Sequence, residues 1–390
     1  MPRLLLLTDY ELTRDPRARR AAEAGRARGL EVVGVCGTAA GDRPAPLEDV
    51  RIVRVGGDGV SAALRPHLGS ARSSRPLVRE LRGTYRLARL ARLTLRLTAA
   101  AHSLGRFDIV HANDFPTLTA GWLIARRSGA RLVYDAHEIY AAQEDGAPKG
   151  FTSAAAHTEA ALARRAGAVV TVSEPIAREL SRRFDLARPP FVVRNCPPRT
   201  EVAREPRPSD GPLRAVYQGV LGPNRPFEDL LAACAHADGV ELTVRVAGAD
   251  LEALRGEVGR RGLQDRVDIV EPVRPDRLVQ ALTGFDVGVI FNRPVTLNQQ
   301  LAMPNRLFEY MMAGLAIVCP RLPGVAPLVE SEGIGMTYEP GRPEALGAAL
   351  TDLAANPARA AEMGAQARQL AMERYNAEAE ARVLADAWGL

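Results

Sequence analysis

The feature that most limits what this 390-residue chain can fold into is an alternation of strand-like and helix-like segments that stops once and then restarts. Before the stop, strands are expected at Leu4–Thr8, Glu31–Cys36, Arg51–Val55, Asp108–Ala112, Arg131–Asp135, Ala168–Val172 and Phe191–Arg194. Segments of helical period separate most of them, for example 16–28, 117–127 and 153–166. Near-continuous apolar runs alternating with helices suit a mostly parallel sheet covered on both faces. Residues 196–213 break the pattern, with four prolines before Gly211, several charges and no apolar period, and read as an interdomain linker. The alternation resumes at Arg214–Gly219 and continues through Glu241–Ala247, Arg266–Val270, Asp286–Phe291, Leu315–Cys319 and Gly333–Tyr338. Helices near 342–354, 357–373 and 376–388 close it.

The expected fold class is therefore α/β, with two doubly wound Rossmann-like domains facing a central cleft. The first spans 1–197, the linker 198–212 and the second 213–375, while the last helix (376–390) returns to the first domain. Open parallel sheets bind ligands beyond the carboxyl ends of their strands, so one substrate per domain is expected.

Composition removes several alternatives. A formal net charge of +5 without a concentrated patch does not argue for nucleic acid. Cys36, Cys196, Cys234 and Cys319 are far apart and form no CxxC pair, so neither a zinc site nor a disulfide framework is expected, and a reducing cytoplasm fits. The apolar run Leu4–Leu7 ends at Thr8-Asp9, too short for a signal segment, and nothing approaches a membrane span in length.

Residues 296–314 carry the strongest local signal. They lie between two expected strands, in a strand-to-helix turn of the second domain. Pro304 suits the first turn of a helix, and the free N–H groups of such a turn attract phosphate. Arg306 adds positive charge there, and Glu309 follows on the same helical face. Together they suggest a phosphate cradle followed by a carboxylate for sugar hydroxyls.

Several segments, in order, resemble the retaining GT-B glycosyltransferases of family 4 (GT4). They are Asp15-Pro-Arg-Ala-Arg-Arg, Phe107-Asp-Ile-Val-His-Ala-Asn-Asp, Leu132-Val-Tyr-Asp-Ala-His-Glu, Val172-Ser-Glu-Pro-Ile, Val193-Arg-Asn, Tyr217-Gln-Gly-Val-Leu-Gly and Pro304-Asn-Arg-Leu-Phe-Glu-Tyr-Met-Met-Ala-Gly. The resemblance implies a nucleoside-diphosphate sugar as donor and no cofactor. Glu309 matches the second carboxylate of the family's E-x7-E motif and would take the ribose hydroxyls. Arg225 and Arg306 lie where similar enzymes hold the diphosphate, Arg225 in place of a usual Lys. Asn305, Asn298, Gly219 and Gly222 complete the implied donor side. Two departures bear on donor identity. Leu301 stands where many members carry the first Glu, and Val220 stands where Gly-Arg is common. Asn298, Gln299 or the backbone near Met303 are the candidates to replace that Glu.

In the first domain, polar residues cluster at expected strand ends: His111, Asn113 and Asp114 at one, Asp135, His137 and Glu138 at the next. His137 is the leading candidate for a catalytic contact. Asp9, Asn113 and Asp114 are the acceptor-side candidates. Arg17 is a further one, and Asp15 is read first as the helix N-cap before Pro16. The resemblance implies front-face attack through an oxocarbenium-like state with retention, the leaving diphosphate accepting the acceptor's proton. Arg225 and Arg306 would stabilise that phosphate charge, with no metal required. The acceptor class stays open among small molecules, glycans and lipid-linked precursors. A nucleotide-sugar epimerase and an inactive nucleotide-sugar-binding protein are the alternatives.

Residues 77–104 form a basic amphipathic stretch, with Arg79, Arg82, Arg86, Arg89, Arg92 and Arg96 at helical spacing beside Leu81, Tyr85, Leu90, Leu93 and Leu97. Two readings stand side by side: a packed helix with solvated arginines, and a peripheral contact with the inner, anionic face of a membrane.

Overall fold

The computed structural model describes residues 1–37, 47–56, 76–140, 149–203 and 211–390, and the side chains of residues 76–81 and 149 also lie outside the description. Residues 204–210 of the expected linker, and the side chains of Arg79 and Leu81, therefore fall outside the described residues. The chain divides into two compact units, Met1–Val193 with Ala381–Leu390, and Arg194–Glu380.

Unit 1 is built on seven parallel strands: β1 (Arg3–Thr8), β2 (Glu31–Gly37), β3 (Arg51–Val55), β4 (Ile109–Asn113), β5 (Arg131–Ala136), β6 (Ala168–Thr171) and β7 (Phe191–Val192). Their order is β3-β2-β1-β4-β5-β6-β7. The chain winds outward in one direction from β1 and in the other from β4, so the switch point lies between the ends of those two strands. Leu4, Leu5, Leu6 and Leu7 are all fully buried, as expected for a central strand covered on both faces. Leu384, Ala387 and Trp388 of the last helix pack into the same core as Leu4, Leu6 and Val133.

Unit 2 repeats the design with six parallel strands: β8 (Leu213–Gly219), β9 (Val240–Val246), β10 (Val267–Val270), β11 (Val287–Val289), β12 (Ala316–Pro320) and β13 (Gly335–Tyr338). The order β10-β9-β8-β11-β12-β13 puts its switch point between β8 and β11. Tyr310 anchors the helix Asn305–Ala313 over that point. The backbone N–H of Gln218 donates to the Tyr310 hydroxyl at 3.1 Å, and that hydroxyl donates to the Val289 carbonyl at 3.3 Å. Gly288 leaves room for the ring, which any side chain on that strand position would strike.

The run 296–314 forms two helices. Thr296 and Gln299 make a capping box that starts a short helix at Leu297–Leu301. The chain then extends through Ala302, and the second helix begins at Asn305 with Pro304 as its extended N-cap residue, φ −74° and ψ 143°. Pro304 thus stands one residue before the expected first helical turn, because its ψ is that of a strand. Gly314, at φ 79°, ends the helix in the left-handed conformation that glycine adopts without strain.

Candidate functional site

At the β8–β11 switch point lies a cavity of about 380 Å³, lined by Gln218, Gly219, Arg225, Arg245, Ala247, Pro272, Val273, Leu278, Pro304, Asn305, Arg306 and Glu309. Gly219, at φ 142°, ends β8 where a Cβ atom would stand 2.6 Å from Arg306 Nη2. The missing side chain admits the guanidinium, which also lies 4.8 Å from the Tyr217 ring centroid. Arg225 reaches the same cavity from a tight turn closed by paired Gly222 and Arg225 backbone hydrogen bonds of 3.1 and 2.8 Å. Gly222 shapes this turn and does not line the cavity.

The electrostatics of the cavity are one-sided. Arg225 Nε and Arg306 Nη1 are buried without hydrogen-bond partners. Burial, and then the charge of Arg306, lower the Arg225 pKa below its usual value. Neither arginine forms an ion pair among the described residues. A desolvated pair of cations with unmet donors is a site for an anion. Glu309, one turn beyond Arg306, accepts from Gln218 Nε2 at 2.6 Å and lines the same cavity. Asn305 lies there too, at the helix start. Asn298 does not line it: it is 5% exposed within the short helix. Gln299 is held by the capping box, its side chain accepting from the backbone of Val295 and Thr296.

Unit 1 carries a second polar cluster, at the ends of β1, β4 and β5. Asp135 accepts a bidentate pair from Arg17, Nε and Nη2 both at 2.7 Å, and Arg17 Nη1 donates to the Val193 carbonyl. Arg17 and Asp135 are 5% and 1% exposed. Although burial opposes its charge, Arg17 holds Asp135 well below the usual carboxylate range. Arg17, an expected acceptor contact, is therefore committed to a buried ion pair. Asp15 is the N-cap, accepting from the Arg17 backbone.

His111 sits inside β4, fully buried. Trp388 Nε1 donates to its Nδ1 at 3.1 Å, so Nε2 carries the proton offered to Asp135 at 3.2 Å. His137 follows β5 with Nδ1 3.0 Å from Asp114 and Nε2 3.7 Å from Asp135. Burial disfavours its charge, but Asp114 and Asp135 outweigh it and raise its pKa to about 10. The imidazolium is thus the resident form at neutral pH. Asp114 adopts φ 60°, a left-handed conformation costly for a non-glycine residue, while accepting from the His137 backbone N–H. Asn113 donates to the Leu7 carbonyl and leaves its Oδ1 buried without a partner. Asp9 is pushed up to about 6 by burial and by the nearby Asp114.

Among the described residues, no group of three or more His, Cys, Asp or Glu side chains could hold a metal ion. No helix among them is long and apolar enough to cross a membrane.

Two family profiles match the chain, "Glycosyltransferase Family 4" over residues 17–197 and "Glycosyl transferase-like" over 225–386. Both halves of the chain thus match glycosyltransferase models, the first half that of family 4. A curated relative, D-inositol 3-phosphate glycosyltransferase of Rhodococcus opacus, is 24% identical over 298 residues, 69% of this chain and 64% of that protein. The chain thus spans less than two thirds of that relative's length. Similar solved folds include Anabaena HepE in complex with UDP (TM-score 0.70, 16% identity, 99% of both chains). Another is sucrose-phosphate synthase of Thermosynechococcus elongatus (TM-score 0.72, 18% identity, 99% of this chain and 98% of that one).

The structure sorts the expected residues into two groups. Gly219, Arg225, Asn305, Arg306 and Glu309 share one cavity, while Asp9, Asn113, Asp114 and His137 gather in the other unit. Two polar residues of the cavity carry no functional signal of their own in the sequence: Gln218, which holds Glu309, and Arg245. The Leu-Thr-Val-Arg-Val alternation around Arg245 reads as an ordinary half-buried strand. The available signal was its position opposite Gln218 on the neighbouring strand.

Proposed function

We propose that this chain is a retaining, metal-independent glycosyltransferase that moves a sugar from a nucleoside diphosphate to an acceptor hydroxyl or similar nucleophile. One observation carries the reading: Arg225 and Arg306 leave buried donors unmet in the cavity that also holds Glu309. A diphosphate supplies the missing acceptors, and a ribose supplies hydroxyls for the carboxylate. In the transfer, the bond from the anomeric carbon to the diphosphate breaks and a bond to the acceptor oxygen forms on the same face. The acceptor's proton passes to the departing diphosphate oxygen. Arg225 and Arg306 stabilise the charge that gathers on that oxygen, the usual electrostatic contribution to such a step.

On unit 1, His137 is assigned to the donor sugar and Asp9, Asn113 and Asp114 to the acceptor. No cofactor enters this reading, and the donor is substrate. Four buried free thiols fit a reducing cytoplasm.

Incubation with a panel of nucleotide sugars and acceptors tests the proposal. Acceptor-dependent nucleotide release in the presence of EDTA, with the donor's anomeric configuration kept in the product, is the expected result. Epimerised donor without acceptor, or binding without turnover, would replace it with the epimerase or the inactive binder.

A peripheral membrane contact is a second proposal, favoured by one observation. The helix Pro76–His102 exposes Leu87 at 45% and Leu95 at 71%, beside exposed Arg89 and Arg92. Arg86 and Arg96 are engaged elsewhere, over the Phe151 ring and on the Gly56 carbonyl.

A further inference from the structure

His111 is a fully buried titratable group that the transfer step leaves unused. It pairs with Val133 of β5, so Asp135, two residues on, shares its face of the sheet. The two oxygens of Asp135 are unequally loaded. Oδ1 accepts from Arg17 Nη2 at 2.7 Å. Oδ2 accepts from Arg17 Nε at 2.7 Å and from His111 Nε2 at 3.2 Å. A carboxylate oxygen offers about two acceptor sites, so these two donors fill Oδ2. His111 is itself held in place. Trp388 Nε1 donates to its Nδ1 at 3.1 Å, and the indole stands edge-on to the imidazole, with centroids 6.0 Å apart.

His137 faces the same oxygen and stops short of it. Its Nδ1 is 3.0 Å from Asp114 Oδ2, while its Nε2 lies 3.7 Å from Asp135 Oδ2, beyond hydrogen-bond distance. Burial opposes charge on this ring, yet Asp114 and Asp135 raise its pKa to about 10, so both nitrogens carry a proton at neutral pH. The Nε2–H is therefore a buried cationic donor with no hydrogen-bond partner among the described residues. Beside an acceptor with room to spare, such a donor closes to about 2.9 Å or less. The filled sites of Oδ2 remove that option.

We propose that His111 is a positioning residue for His137: it occupies Asp135 Oδ2, so that the His137 Nε2–H stays uncommitted and is kept for an oxygen of the substrate. Trp388 holds His111 in that role. The substrate half rests on the assignment of His137 to the donor sugar, whereas the setting of the ring does not. An imidazolium bonded to carboxylates at both nitrogens would have to give up a charge-assisted hydrogen bond before it could donate to a ligand. The competing account is that Asp114 alone sets the ring and His111 merely fills the core.

His111→Leu and His111→Gln separate the two. Leucine removes the donor, while the glutamine amide can still give Asp135 an N–H. The imidazole proton and nitrogen resonances of His137, read at neutral pH without substrate, are the first measurement. In His111→Leu the Nε2–H proton should move downfield as it bonds to Asp135, and in His111→Gln it should stay near its wild-type position. Turnover should follow. Because Arg225, Arg306 and Glu309 hold the donor, kcat should fall about tenfold or more in His111→Leu with the donor KM within about threefold. His111→Gln should keep kcat within about threefold of the wild type. An unmoved His137 resonance in His111→Leu overturns the proposal, as does a moved resonance with unchanged kcat. A glutamine variant that melts like the wild type but behaves like the leucine one also overturns it. If the leucine variant does not fold, Trp388→Phe decides, because it frees the His111 ring and should give the same downfield shift. A wild type that turns over no nucleotide sugar would remove the proposed function, and the resonances would still decide how the ring is set.

Discussion

Gly219 and Arg306 fit together because one has no side chain: a Cβ atom on Gly219 would lie 2.6 Å from the Arg306 guanidinium. Gly219→Ala should therefore displace Arg306 and weaken nucleoside diphosphate binding by about tenfold or more, the worth of a charged hydrogen bond. The φ of 142° adds backbone strain to any replacement, so the melting temperature should fall as well. Calorimetry beside a thermal melt separates the two effects. An unchanged dissociation constant would take Arg306 out of phosphate binding.

Glu309 accepts from Gln218 and lines the cavity. Glu309→Ala should weaken donor binding by about tenfold to a hundredfold with little loss of stability. Gln218→Ala should produce a smaller loss, because it frees the carboxylate to move without removing it. If Glu309→Ala binds and turns over donor like the wild type, Glu309 has no place in the site.

The titration of Asp9 gives a pH-dependent prediction. Its folded pKa of about 6 exceeds the ordinary 3.8, so the native state holds this proton more tightly than the unfolded chain does. Its contribution to stability is full below 3.8 and is lost as pH rises through 6. Asp9→Asn should therefore stabilise the protein by about 1–2 kcal/mol at pH 7.5 and add little in acid. Urea denaturation at both pH values reads this out. A gain that is the same at both would show that the Asp9 charge is not the cause. On the proposed function, the same variant loses acceptor turnover.

His137 behaves in the opposite direction from a catalytic base. Its raised pKa of about 10 means that charge on the ring stabilises the fold fully below 6.5, an advantage that disappears as pH rises through 10. Asp114→Asn should lower that pKa by more than one unit, visible in the imidazole NMR titration. An unshifted titration would refute the Asp114 pairing. Removing one partner of the Arg17–Asp135 pair is a separate matter. Arg17→Met leaves a buried carboxylate uncompensated and should cost about 3–5 kcal/mol in urea denaturation.

Vesicles decide the membrane contact. Co-sedimentation with phosphatidylglycerol-containing vesicles at low salt, reduced by Leu87→Ser with Leu95→Ser, is expected. Equal recovery in the supernatant with anionic and neutral vesicles would end that proposal.

The two-sheet design was legible because strand periodicity and burial are both local properties of runs such as Leu4–Leu7. The cavity of unit 2 was legible where a helix start gathers Asn305, Arg306 and Glu309. Less was legible where function depends on contacts between distant residues. Nothing near His111 announces that Trp388 will fix its tautomer, and nothing near Arg17 announces Asp135. Arg245 was hidden for another reason. A polar residue on a strand reads as solvent-facing until the structure shows that this face borders a cavity.

Trp388, Leu384 and Ala387 belong to the core of unit 1, yet they follow the whole of unit 2 in the chain. During synthesis, Leu4 and Val133 leave the ribosome long before the residues that complete their packing. Unit 2 is complete before Ala381 has been made, whereas unit 1 is not. Since domains tend to fold as they emerge, the later part of this polypeptide can consolidate first, and unit 1 must wait for the last helix with its His111 and Asp135 unfinished.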